Sequence, residues 1–109
     1  MIAVIFEVTV EPAEGDRYFD LAASLGNELD GADGFISIER FKSLAEEDKF
    51  VSLSFWRDRD AVEAWFQLPR HREAQEQGRQ GIFRDYRIRV AEVFRDYDLA
   101  TGRPGERPV

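Results

Sequence analysis

The sequence predicts an α+β domain in which two helices cover one face of an antiparallel sheet. Four runs rich in β-branched and aromatic residues alternate in parity, as strands do. Two other segments carry apolar residues at three- and four-residue spacing, the mark of amphipathic helices. The runs follow one another as β-α-β-β-α-β.

The first strand spans Ile2 to Glu11 and is closed by Pro12 and Gly15. Ile2, Val4, Phe6, Val8 and Val10 share one parity, while Ala3 and Ile5 share the other with Glu7, Thr9 and Glu11. A helix over Asp16–Leu29 follows, with Tyr18 or Phe19, Leu21, Ala22, Leu25 and Leu29 on its apolar stripe. The Asp30-Gly31-Ala32-Asp33-Gly34 stretch ends it, because glycine accepts the left-handed conformation of helix ends. Strands over Phe35–Ser43 and Lys49–Arg57 flank the short polar turn Leu44–Asp48, the pattern of a hairpin.

Asp58 or Asp60 caps a second helix, with Ala61, Val62, Trp65, Phe66 and Leu68 on its buried side. Pro69 breaks or bends that helix, and Arg70–Gln77 forms another short helical piece. Gly78 and Gly81 flank a loop before a long last strand, Phe83–Tyr97. The domain is expected over residues 1–97, with a flexible Gly/Pro-rich tail over 98–109.

This order is that of ferredoxin-like folds, whose helices share one face of the sheet. Yet every strand carries apolar groups on both parities. Ile36 and Ile38 oppose Phe35 and Phe41; Val51, Leu53 and Phe55 oppose Phe50 and Trp56. With one domain in 109 residues, a second copy of the sheet is the simplest cover for the bare face, so a homodimer is expected.

Fifteen basic against twenty-two acidic side chains give a net charge of −7, which argues against a nucleic-acid partner. No cysteine and one histidine exclude disulfide scaffolds, iron–sulfur clusters, thiol nucleophiles and multi-imidazole metal sites. The apolar N-terminal run lacks a basic leader and Glu7 interrupts it, so a cytoplasmic protein with no membrane partner is expected. No Walker loop, dinucleotide fingerprint or nucleophile elbow surrounds any serine.

The segment Ser54-Phe55-Trp56-Arg57-Asp58-Arg59-Asp60-Ala61-Val62-Glu63-Ala64-Trp65 resembles the strand-to-helix junction of the antibiotic biosynthesis monooxygenase (ABM) family. So does Arg70-His71-Arg72-Glu73-Ala74-Gln75-Glu76-Gln77-Gly78-Arg79, followed by a strand ending Val93-Phe94-Arg95-Asp96-Tyr97. The likeness spans residues 1–97. It implies a dimeric α+β barrel and activities that include cofactor-free oxygenation of aromatic polyketides, quinol oxidation and haem degradation. The haem-degrading branch pairs its helix Trp with an Asn and a His. Trp65 matches, but the Asn position falls here at Phe6 (or Glu7 with a one-residue shift) and the His position at Gln75; neither Phe nor Gln is a usual haem ligand.

His71, alone among these side chains, titrates near neutrality unperturbed, which makes it the candidate base for the deprotonation that precedes electron transfer to O₂. Arg70 and Arg72 beside it tend to lower its pKa and keep it neutral. Trp56 and Trp65 can wall a pocket for a flat ring, or simply fill the core. Phe83 and Tyr86 can close the same pocket, and Arg79 can meet an anion or carbonyl. Glu7 and Glu39 are expected to pair with Arg40, Arg87 or Arg89. The expected function is cofactor-independent oxygenation of a small aromatic or quinone-like molecule, with no cofactor and no metal. The rival is a dimeric ligand-binding or stress-associated protein that keeps the fold without the chemistry, or a haem-handling protein.

Overall fold

β1 (Ile2–Val10) is paired on both sides, and its alternation sets the two faces of the whole sheet. The structure, a computed structural model, describes residues 1–68, 72, 73, 76 and 78–102, and of Arg79 the backbone alone. β2 (Phe35–Lys42), β3 (Lys49–Trp56) and β4 (Phe83–Glu92) complete a four-stranded antiparallel sheet in the order β2-β3-β1-β4. α1 (Gly15–Leu29) and α2 (Arg59–Gln67) lie on one face, so the α+β, ferredoxin-like expectation holds.

The even residues of β1 meet the helices. Ile2, Val4, Val8 and Val10 are buried there, each almost wholly withdrawn from solvent. They divide the core in two. One cluster joins Ile2, Val4 and Trp56 to Leu29 of α1 and to Ala61, Val62 and Trp65 of α2. The other joins Val8, Val10 and Ile82 to Tyr18 of α1.

Local chemistry places the helices. Asp58, in extended conformation, caps α2 by accepting a 2.9 Å bond from the Ala61 N–H. Arg57 donates to both carboxylate oxygens of Asp33, at 2.9 and 3.2 Å, and to Asp58, tying the α1–β2 loop to the start of α2. Leu68 is extended at ψ 136°, the conformation a following proline enforces, and α2 ends there. Gly34 sits at φ +80°, and a Cβ on it would lie 2.5 Å from that of Ala61. Only glycine lets β2 begin beneath α2.

In the stretch that ends α1, Gly34 is the left-handed glycine, and the Gly31 and Ala32 N–H groups donate to the Glu28 and Leu29 carbonyls. Three expectations need correction. The register shifts between Phe35 and Ser37, so Phe35 lies opposite Trp56 on the helix side with Ile38, while Ile36 is half exposed. β4 stops at Glu92 rather than Tyr97, because β1 begins at Ile2 and the last rung is Val93 N–H to the Met1 carbonyl. Arg40 pairs with neither Glu7 nor Glu39; it has the opposite parity to both and faces the helices, while Glu7 pairs with Arg89 at 3.1 Å.

Of the expected tail, residues 98–101 form a turn in which the Asp98 carboxylate accepts from the Thr101 N–H and hydroxyl. Residues 103–109, and the helical piece expected over Arg70–Gln77 apart from Arg72, Glu73 and Glu76, lie outside the described residues. Among the described residues no helix is long and apolar enough to cross a membrane.

Candidate active site

Between the two core clusters a pocket of about 130 Å³ opens under the helices. Its floor is one row of the sheet, Arg40–Ser52–Phe6–Ile88, read across β2, β3, β1 and β4. The next row adds Ile38, Ser54 and Val4. α1 supplies the roof with Tyr18, Leu21, Leu25 and Leu29, and α2 closes one side with Trp65 and Phe66.

A bulge brings the β4 aromatics in. Thr9 lies opposite Asp85 but Val10 lies opposite Phe83, so Arg84 is the extra residue. Phe83 and Tyr86 consequently share the helix-facing side, and both line the pocket. Phe6 meets Phe83 edge-on at 5.7 Å and Tyr86 at 6.0 Å. Trp56 and Trp65 face each other at 5.8 Å, tilted by 36°, and form the opposite wall. The Trp56 indole N–H donates to the Ser54 hydroxyl at 3.0 Å, which satisfies a buried donor and fixes the ring. Trp56 is therefore core and wall together: it is 1% exposed, yet one face borders the cavity.

The polar groups of the pocket sit toward its ends. Tyr86 stands on edge strand β4, Arg40 on the opposite edge strand β2. Tyr18 stacks on Phe50 at 5.6 Å, and it lines the pocket together with Arg40, whose positive charge acts on its phenol. Burial raises the Tyr18 pKa above the usual phenol value despite the opposing pull of Arg40, so the phenol stays protonated at neutral pH. The protonated phenol has an O–H to give to an acceptor in the pocket.

The expected site residues divide accordingly. Trp56, Trp65, Phe83 and Tyr86 come together around one cavity. His71 and the Arg79 side chain lie outside the described residues, as does Gln75. The Tyr18–Arg40 pair was not singled out from the sequence. Its signal was present: Arg40 shares the parity of Ile38, an arginine next to an apolar position on one face of the strand.

The site is that of a helix-roofed antiparallel sheet with an aromatic pocket between the layers. The chain belongs to the antibiotic biosynthesis monooxygenase family, whose profile matches residues 1–77. It is 45% identical over 93 residues to a jasmonate monooxygenase of Pyricularia oryzae, a match covering 85% of this chain and 43% of that protein. The chain thus spans under half the length of that fungal relative. A Deinococcus radiodurans protein assigned to the same family superposes with a TM-score of 0.82 at 14% identity, over 91% of this chain and 98% of that one. A variant of SnoaB, a cofactor-independent oxygenase from Streptomyces nogalater, gives a TM-score of 0.76 at 14% identity, covering 87% and 94%. At such identities the two structures speak for the fold alone.

Proposed function

We propose that this chain is a cofactor-independent monooxygenase that oxidises a small aromatic or quinone-like molecule in the pocket between helices and sheet. The observation that carries the reading is the pocket's make-up: tilted and edge-on aromatic walls, with hydroxyl and guanidinium donors beside them. Flat rings fit such walls, and the donors orient a ring oxygen. Membership of a monooxygenase family supports the reaction class.

In the proposed reaction a base removes a proton from a phenol-activated CH₂ group. The resulting carbanion gives one electron to O₂, and the radical pair combines to a peroxide. Loss of water leaves a ketone: CH₂ and O₂ become C=O and H₂O, with O₂ the oxidant. His71 is the base in this reading, because a pKa near the working pH serves that step best. Trp65 and Trp56 hold the ring, Phe83 and Tyr86 close over it, and Arg79 meets an oxygen of the substrate.

The assembly is a homodimer joined through the sheet face that the helices leave bare. Ile5, Val51, Leu53 and Phe55 are half-buried there within one chain, and a stable contact needs about 1,200 Å² or more in total. The 45% identity to a jasmonate monooxygenase favours a second substrate reading, an alicyclic ketone bearing a carboxylate.

Oxygen uptake by the purified protein tests the proposal, with hydroxyanthrones, quinols, jasmonate and haem offered in turn. Uptake with one of the first three, matched by formation of the oxidised product, is the expected result. Rates no faster than the protein-free reaction on every compound would leave a binding protein of the same fold.

A further inference from the structure

We infer that Arg40, Tyr18 and Ser52 form an anion-recognition corner of this pocket, so that its ligand carries a negatively charged oxygen, a carboxylate or an ionised hydroxyl, on an apolar ring. The inference rests on the pocket being the ligand site, and it names the class of ligand that fits.

Among the described residues that line the pocket, Arg40 alone carries a charge. Arg40 is exposed as well as lining the pocket, so its guanidinium stands where an entering anionic group can meet it. Among the described residues no carboxylate pairs with Arg40, although the chain has twenty-two acids. By contrast Arg17, Arg57, Arg84 and Arg89 each meet a carboxylate at 3.5 Å or less. Arg40 shares the lack of a carboxylate partner among the described residues with Arg59, Arg72, Arg87 and Arg95, and differs from them in lining the pocket.

Its neighbours add donors. Tyr18 lines the same pocket, buried on α1, and its protonated phenol has an O–H to donate. Ser52 stands opposite Arg40 in the register and lines the same pocket. Its hydroxyl has no side-chain partner among the described residues. Arg40, Ser52 and Tyr18 thus bring three donor-bearing groups to one pocket lined by no carboxylate among the described residues, and an anionic oxygen complements them. The chain's net charge of −7 repels anions at a distance, so a local cation is needed to bring one in. Phe6 and Phe83 then offer an apolar surface to the ring beyond the charged end.

Calorimetric titration at neutral pH with two pairs of non-oxidisable probes tests this. One pair is naphthoate and the neutral naphthamide. The other is dinitronaphtholate, ionised at that pH, and its neutral methyl ether. The expected result is at least about tenfold tighter binding of one anion or both than of its neutral partner, as a charge-assisted bond gives. The pair that shows the preference tells carboxylate from ionised hydroxyl. Arg40→Met is expected to abolish the preference, Arg40→Lys to keep part of it, and Tyr18→Phe to reduce it severalfold. Circular dichroism melts confirm that each variant folds. Equal affinities within both pairs, or a preference unchanged in Arg40→Met, would overturn the inference. Neither probe needs oxidation, so a protein that consumes no oxygen can still pass, and one that oxidises neutral rings can still fail.

Discussion

The two faces of the sheet are built from the same strands but hold different kinds of side chain. The helix-covered face carries Ile2, Val4, Val8 and Trp56, almost wholly buried, around an aromatic cavity. The opposite face carries Ile5, Val51, Leu53 and Phe55 at intermediate burial, beside the Glu7–Arg89 ion pair. One residue's step along β3, from Phe55 to Trp56, crosses from one to the other. The difference teaches that alternation alone does not say which face holds a ligand. Helices close one face within the chain and leave a gap between two core clusters; the other face is apolar but has no roof of its own.

The largest effect is expected where burial is deepest. Trp56→Ala removes an indole that is 1% exposed, a change that typically costs about 3–5 kcal/mol. Phe55→Ala, one residue away, is expected to cost clearly less in dilute protein. Its cost should grow with protein concentration if a second copy covers that face. Urea unfolding at two concentrations checks both. Equal losses at Phe55 and Trp56 in dilute protein would erase the distinction between the faces.

Turnover comes next. If His71 is the base, His71→Phe keeps a ring but no proton acceptor and is expected to lower kcat by about 10²–10⁴-fold. Trp65→Phe, on the covered face, is expected to raise KM more than it lowers kcat, since it trims a wall. Rates for His71→Phe within about threefold of the parent would pass the role to a carboxylate or to the substrate's own ionisation.

The sequence made the strands, helices and parity legible, because alternation and helical spacing are local signals. Asp58 as a cap and Pro69 as the end of α2 were equally local. What escaped depended on residues far apart. The end of β4 is set by where β1 starts, some ninety positions away in the chain. The bulge that gives Phe35 to the covered face and leaves Ile36 out shows only in the register. Tyr18 and Arg40 line one pocket because α1 and β2 pack on the same side of it, and nothing between residues 18 and 40 announces it. Trp56 and Trp65 were legible as a pair because a strand-end and a helix-face aromatic nine residues apart must meet across one short turn.

Assembly gives the next sharpening of the comparison. Leu53→Lys places a charge at the middle of the open face and leaves the pocket lining untouched. Burying an unpaired ammonium between two sheets is costly, so the variant is expected to be monomeric where the parent is dimeric. Light scattering at micromolar concentration reads the mass directly. A parent protein that scatters as a 12.6 kDa monomer would sink the dimer and leave the open face without a cover.

The smallest effect concerns acid, and it acts on the covered face only. Arg57 bridges Asp33 in the α1–β2 loop and Asp58 at the start of α2, so this trio holds the two ends of the roof together. The bonds from Arg57 hold the Asp33 carboxyl below its ordinary pKa, and the Ala61 N–H followed by Arg57 does the same for Asp58. A carboxyl whose pKa is depressed by folding contributes stability above its unfolded value, near pH 4, and loses it as pH falls through the folded value. Asp33→Asn removes the charge and keeps the size. The parent is therefore expected to melt slightly higher than Asp33→Asn at neutral pH, and the gap should close as the pH drops below about 4. Both groups are exposed, so salt should shrink the gap as well. A gap that persists unchanged into acid would mean that packing of the loop, rather than the carboxylate charge, joins Asp33 to Arg57.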